Sequence, residues 1–263
     1  MFHIRCIYDE GTNSPFVRRM MLNIHQIRDA ALPKSNHVDF DEKYDKVYTA
    51  LAECRQHVIL AYNILADHID QLTQGNVVVI QNGSFIVNTT IDHNLRMHFN
   101  GFVNSGNRAY KDMQELTRSL GLDIHCLYGK MDNFNKWIKL LDDNNEKPLS
   151  TFMKCVRVNW ANEFVKLRNE IEHASWQLPE MQYTAFQNRV VLEPPYVYGM
   201  DCFEYMKYVF CQLAVFVENV TIFALHLQNT DMCLEVNGIP WTIQYCKIAD
   251  ESLLIKNLSI QNS

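Results

Sequence analysis

Apolar residues recur every three to four positions along most of this chain, which is the period of a helix with one buried face. Phe16, Met20, Ile24 and Ile27 mark the first such run. Ser14-Pro15 supplies a start, Pro being suited to the first helical position, and Pro33 a stop, so a helix is predicted over 14–32. A longer one is predicted over 41–73, carried by Tyr44, Tyr48, Leu51, Val58, Tyr62, Leu65, Ile69 and Leu72 and ended by Gly75. In the apolar run 77–87, Asn82-Gly83 is a strong hairpin signal. Helical spacing returns over 94–120, up to Gly121, and over 131–142, through Phe134, Trp137, Ile138 and Leu141. Further helices are predicted over 150–175 and 201–229, separated by an extended stretch, 183–198, in which Pro194-Pro195 forbids helix. Asn237-Gly238 marks a last ribbon, within 232–248. The pattern predicts a mainly α protein: one helical bundle of about six helices with short β-hairpin embellishments. The 14–32 helix and the 232–248 ribbon are additions to it. No repeat or linker divides residues 1–263.

The run 209–227 is the most apolar in the chain, yet it contains Gln212, Glu218, Asn219 and His226. Those groups are costly in hydrocarbon, so the segment reads as a buried core helix and no membrane contact is expected. The first residues, MFHIRCIYDEG, carry charges where a signal peptide needs an apolar run. Of eight cysteines, no two are spaced as C-x-x-C, and Cys54, Cys155 and Cys211 fall inside helical patterns. The expectation is a cytoplasmic protein with reduced thiols and no disulfide framework. A net charge of −6 argues against non-specific coating of nucleic acid, so any RNA contact must be local.

Phosphate-cradling glycine loops, the G-x-S-x-G elbow and H-E-x-x-H are all missing from the chain. His93 and His98, five apart, point in different directions on a helix. Neither a metal nor a cofactor is expected.

The 150–175 helix carries the chemistry. Met153, Val156, Trp160, Phe164, Leu167, Ile171 and Ala174 form one apolar stripe. Arg168 flanks that stripe, with Arg157 on nearly the same line three turns back, while Asn162, Asn169 and His173 share a different, polar face. An imidazole titrates near neutrality and serves as general acid or base. A guanidinium offers a fixed fork of donors to phosphate oxygens. On the residues alone, an Arg168–Glu172 surface ion pair and a His173 placed to suit the helix dipole remain the alternative account. Arg157 and Lys154 likewise read as solvated charges.

The string RNEIEH, 168–173, at the end of a long helix in a helical protein, resembles the R-x4–6-H signature of the HEPN family. The resemblance is sharp over six residues and loose over 41–230. It implies a metal-independent endoribonuclease, a toxin or antiphage-defence effector, that leaves a 2′,3′-cyclic phosphate. Arg168, Asn169 and His173 would be catalytic, and Arg157 and Asn162 would bind substrate. RNA, a second copy of the chain in a homodimer, and an antitoxin or other defence-system protein are the implied partners. Glu170 and Glu172 would repel RNA unless paired with Lys166 and Arg168.

Overall fold

The computed structural model describes residues 14–82, 84–144, 147–186, 189–229, 234–236 and 239–241. The predicted helices all form, with ends shifted by a few residues. Helix α1 (15–31) begins at Pro15 and stops where Leu32 turns extended ahead of Pro33. Its middle, Arg18–Asn23, is a π-helical turn. Helices α2 (His37–Thr73) and α3 (Asp92–Ser119) lie along each other and make the most extensive pairing in the molecule. Two glycines let α3 approach its neighbours: a Cβ on Gly101 would stand 2.3 Å from the His57 ring, and one on Gly106 2.9 Å from Phe164. Helix α4 (Met131–Asp143) follows a 3₁₀ turn at His125–Tyr128. Helix α5 (147–172) is continuous but contains a second π turn, Arg157–Ala161. Helix α6 (Cys202–Gln228) opens on Asp201, whose carboxylate accepts from the backbone N–H of Phe203 at 2.7 Å and of Glu204 at 3.2 Å.

Helix α6 is buried on nearly all sides. Phe203, Phe210, Val217 and Phe223 are all in the core, as the periodicity requires. It is long and apolar enough to cross a membrane by length and composition, and 83% of its most apolar 18-residue window is covered by the rest of the protein. Phe16 of α1 packs on Tyr48 of α2 and Phe210 of α6, and Trp160 of α5 lies between Phe164 and Phe216. One cluster of buried side chains thus runs from Phe16 to Leu225. Within the apolar length of α6, Glu218 is 9% exposed, and it accepts from Arg19 in the π turn of α1 through Nε at 2.9 Å and through Nη2.

The strands form four separate antiparallel ribbons. β1 (Val78–Gln81) and β2 (Ser84–Val87) pair around Asn82, which holds φ 53° as the turn demands; Gly83 lies outside the described residues. The stretch expected to be simply extended folds back twice. β3 (Gln182–Phe186) pairs with β4 (Arg189–Glu193), and β5 (Tyr196–Val197) pairs with β6 (Met200–Asp201) across Tyr198-Gly199, both at positive φ. Pro194-Pro195 separates the two ribbons. In the final ribbon, Leu234–Val236 and Ile239–Trp241 are β7 and β8. Asn237-Gly238 and residues 242–248, expected to extend it, lie outside the described residues, as do Cys6, Cys233 and Cys246. Cys54 and Cys211 are buried in helices, and Cys155 is exposed.

Candidate functional site

Trp160, Phe164 and Leu167 are buried to within 2% and Ile171 is partly buried, so the apolar stripe of α5 has the expected phase. The opposite face carries Asn162 and Asn169, both exposed, with His173 as the residue that closes the helix. The His173 N–H donates to the carbonyl of Asn169 at 3.0 Å, which holds the two side chains one turn apart. Arg168 lies on the flank with its side chain 22% exposed. Its Nη1 donates to Asn169 Oδ1 at 3.0 Å, and its two terminal nitrogens grip Glu172 at 2.6 and 2.9 Å. Lys166 and Glu170 form a looser pair at 3.8 Å. Both acids beside the motif are therefore paired as their spacing suggests.

After His173 the chain reverses in a Schellman arrangement. Ala174 N–H donates to Ile171 O at 3.0 Å and Ser175 N–H to Glu170 O at 2.9 Å, with Ala174 at φ 53°. That conformation is a glycine's. Ala174→Gly is expected to raise unfolding stability by about 0.5–1 kcal/mol, measured by urea titration, because a Cβ in the left-handed region is strained.

Arg157 does not line up with Arg168. The π turn absorbs one extra residue, which rotates everything before it by about 100° relative to an unbroken helix. Arg157 is turned inward and is 6% exposed, so it is not the solvated charge that spacing alone allowed. Its Nη1 donates to the carbonyls of Cys126 at 3.2 Å and Leu127 at 2.8 Å, its Nη2 to Gly129 O at 2.8 Å, and the guanidinium lies 4.4 Å from the centre of the Phe134 ring. Burial pushes its pKa below the ordinary value. No carboxylate pairs with it among the described residues. The clamp fixes the 3₁₀ turn against α5 and leaves a shallow hollow of about 330 Å³ between them. Arg157, Asn162, Lys166 and Asn169 line it together with Tyr128 and Gly129. The hollow gathers three of the five residues singled out in the sequence; Arg168 and His173 are not in its lining.

Two histidine arrangements lie outside the sequence reading: one joins two helices, and the other is a local turn. His98 meets His57 of α2, Nδ1 to Nδ1 at 3.2 Å, and burial lowers the pKa of both rings. In the turn 123–126, His125 Nδ1 is 3.0 Å from Asp123 Oδ1 and Cys126 Sγ is 3.2 Å from His125 Nε2. The sulfur is also 3.8 Å from Nδ1, too close for a thiol in line with Nε2, so it rests against the ring and is not aligned for proton transfer. Burial raises the Cys126 pKa, the opposite of an activated thiol. Among the described residues no three His, Cys, Asp or Glu side chains converge as metal ligands would.

No family model, no curated protein and no solved structure matches this chain. The reading of the site therefore rests on its own residues.

Proposed function

We propose that the protein is a metal-independent endoribonuclease of the HEPN type, a toxin or antiphage-defence effector acting in the cytoplasm. The observation that carries this reading is the company kept at the tip of α5: Arg168 touching Asn169, with the exposed His173 one turn on. In the reaction, the RNA 2′-hydroxyl attacks the adjacent phosphorus, and an imidazole removes its proton. The 5′-oxygen leaves as a hydroxyl after taking a proton, and a 2′,3′-cyclic phosphate remains. Arg168 trades Glu172 for two phosphate oxygens, whose planar geometry its fork matches. Asn169, released from Arg168, orients phosphate or imidazole. Asn162 extends the polar surface along which the RNA backbone lies, and Arg157 supports that surface from beneath through its clamp on the 3₁₀ turn. One imidazole supplies only one proton-transfer group, so a symmetric homodimer with two facing α5 tips completes the site.

A second reading has its own support. Arg168 is already occupied by Glu172, and His173 lies off the hollow, which favours a helical protein that binds RNA, nucleotide or a partner without cutting.

One assay separates the two. Purified protein is incubated with total RNA in excess EDTA, and new ends are typed with a phosphatase and with a kinase. Cleavage that persists in EDTA and leaves cyclic phosphate and 5′-hydroxyl ends is expected of the nuclease. Intact RNA that is nevertheless retained on the protein selects the binding reading.

A further inference from the structure

Where α2 and α3 lie along each other, two imidazoles meet head to head. His57 Nδ1 stands 3.2 Å from His98 Nδ1, with ring centres 5.5 Å apart. Gly101 makes room for this, because a Cβ there would stand 2.4 Å from His57 Nε2. The His57 ring therefore packs on bare α3 backbone and turns its Nδ1 edge to His98. Burial lowers the pKa of both rings, and at His57 the neighbouring imidazole lowers it further, which keeps both neutral at pH 7. A neutral imidazole has one nitrogen with a lone pair to offer. Both residues are partly exposed, so an ion can reach them from solvent. Their spacing also selects a geometry. Two nitrogens bound at about 2.0–2.1 Å to one ion stand about 3.3 Å apart in a tetrahedral sphere and about 2.9 Å apart at a right angle. The observed separation is nearer the tetrahedral one. Glu53, one turn before His57, is not a third ligand, because Arg108 holds its carboxylate.

We infer that His57 and His98 together bind a zinc ion between α2 and α3, each through Nδ1, with water in the remaining positions. Imidazole is a ligand that zinc favours, and zinc takes the tetrahedral arrangement that the spacing fits. Each ring then carries its proton on Nε2. The ion replaces one hydrogen bond between the rings with two metal–nitrogen bonds, and so staples the most extensive helix pairing in the molecule. Spacing along α3 excludes His93 as the partner of His98, and the fold supplies His57 instead. The site shares no residue with the tip of α5 and does not rest on the ribonuclease reading. RNA cleavage in EDTA is expected whether or not zinc binds here.

The test is isothermal titration of the full chain, stripped with EDTA and dialysed, with zinc chloride. Saturable binding is expected, and it should persist in Cys155→Ser, which removes an exposed thiol as a competing ligand. His57→Ala and His98→Ala should each weaken it by at least about tenfold, the loss that even an outer partner of a metal ligand brings. His93→Ala removes an exposed imidazole from another face of α3 and should leave binding unchanged. Saturating zinc should raise the melting temperature of wild type and of neither alanine variant, because an ion that binds only the folded chain stabilises it. His98→Gln is the further variant, in case alanine loosens the helix pairing. Its amide can still hydrogen-bond His57 but supplies no imidazole, so it too should lose the zinc-dependent rise. The inference is overturned if zinc does not bind saturably, or if the His57 and His98 variants bind it and are stabilised by it as wild type is. Failure of the nuclease assay leaves the zinc site standing, and failure of the titration leaves the nuclease reading standing.

Discussion

RNA cleavage by the His173→Ala protein is expected to fall at least about 10²-fold below wild type, the usual loss when a general acid or base is removed. The variant should fold normally. His173 is exposed, ends α5, and contributes its backbone N–H, which alanine keeps, to the bond with Asn169. Arg168→Lys should also cut poorly, since an ammonium cannot make two parallel bonds to a phosphate. Its loss from the Glu172 pair should cost under about 1 kcal/mol, as for most exposed pairs. Glu172→Gln separates the roles further. It frees Arg168 from its fork, so a nuclease should gain activity, whereas an Arg168 that serves only the helix surface should leave RNA turnover untouched. Single-turnover rates on one defined RNA, with thermal melts as a control for folding, measure all three. If His173→Ala cuts as fast as wild type, the ribonuclease reading is lost.

The largest stability loss is expected at the other end of the fold. Arg19→Ala should remove about 3–5 kcal/mol, because it strands Glu218 inside the bundle without its fork of donors. Melting temperature should drop by roughly 10 °C or more for a chain of this size. The deficit comes from an orphaned charge, so the double variant Arg19→Met, Glu218→Leu should recover most of it, as buried ion pairs replaced by apolar groups often do. Equal damage in the single and double variants, followed by urea titration, would show that packing and not charge sets the cost.

Local periodicity made the helices legible. Each carries a stripe such as Phe134, Ile138, Leu141 or Trp160, Phe164, Leu167, and burial follows that stripe closely. The dipeptide signals located the first ribbon for the same reason: Asn82 takes a positive φ that few residues accept. Arg157 was misjudged because a π turn changes the phase of a helix without leaving any mark in composition. Glu218 was legible as a group needing a reason to be buried, but its reason, Arg19, sits in a helix 199 residues earlier. The six-residue motif pointed to the tip of α5, and the Arg168–Asn169 contact and the Glu172 fork are both consistent with spacing along one helix.

That 199-residue separation also bears on the order of folding. The α2–α3 hairpin is closed by a short ribbon and forms through contacts near in sequence, so it can assemble early. Seating α1 against α6 closes a loop of 199 residues, and its entropy is lost before any contact compensates. Docking of α1 then belongs after the rate-limiting barrier. Weakening it should steepen the rate of unfolding and barely touch the rate of folding, and a protease acting on the native protein should meet α1 first.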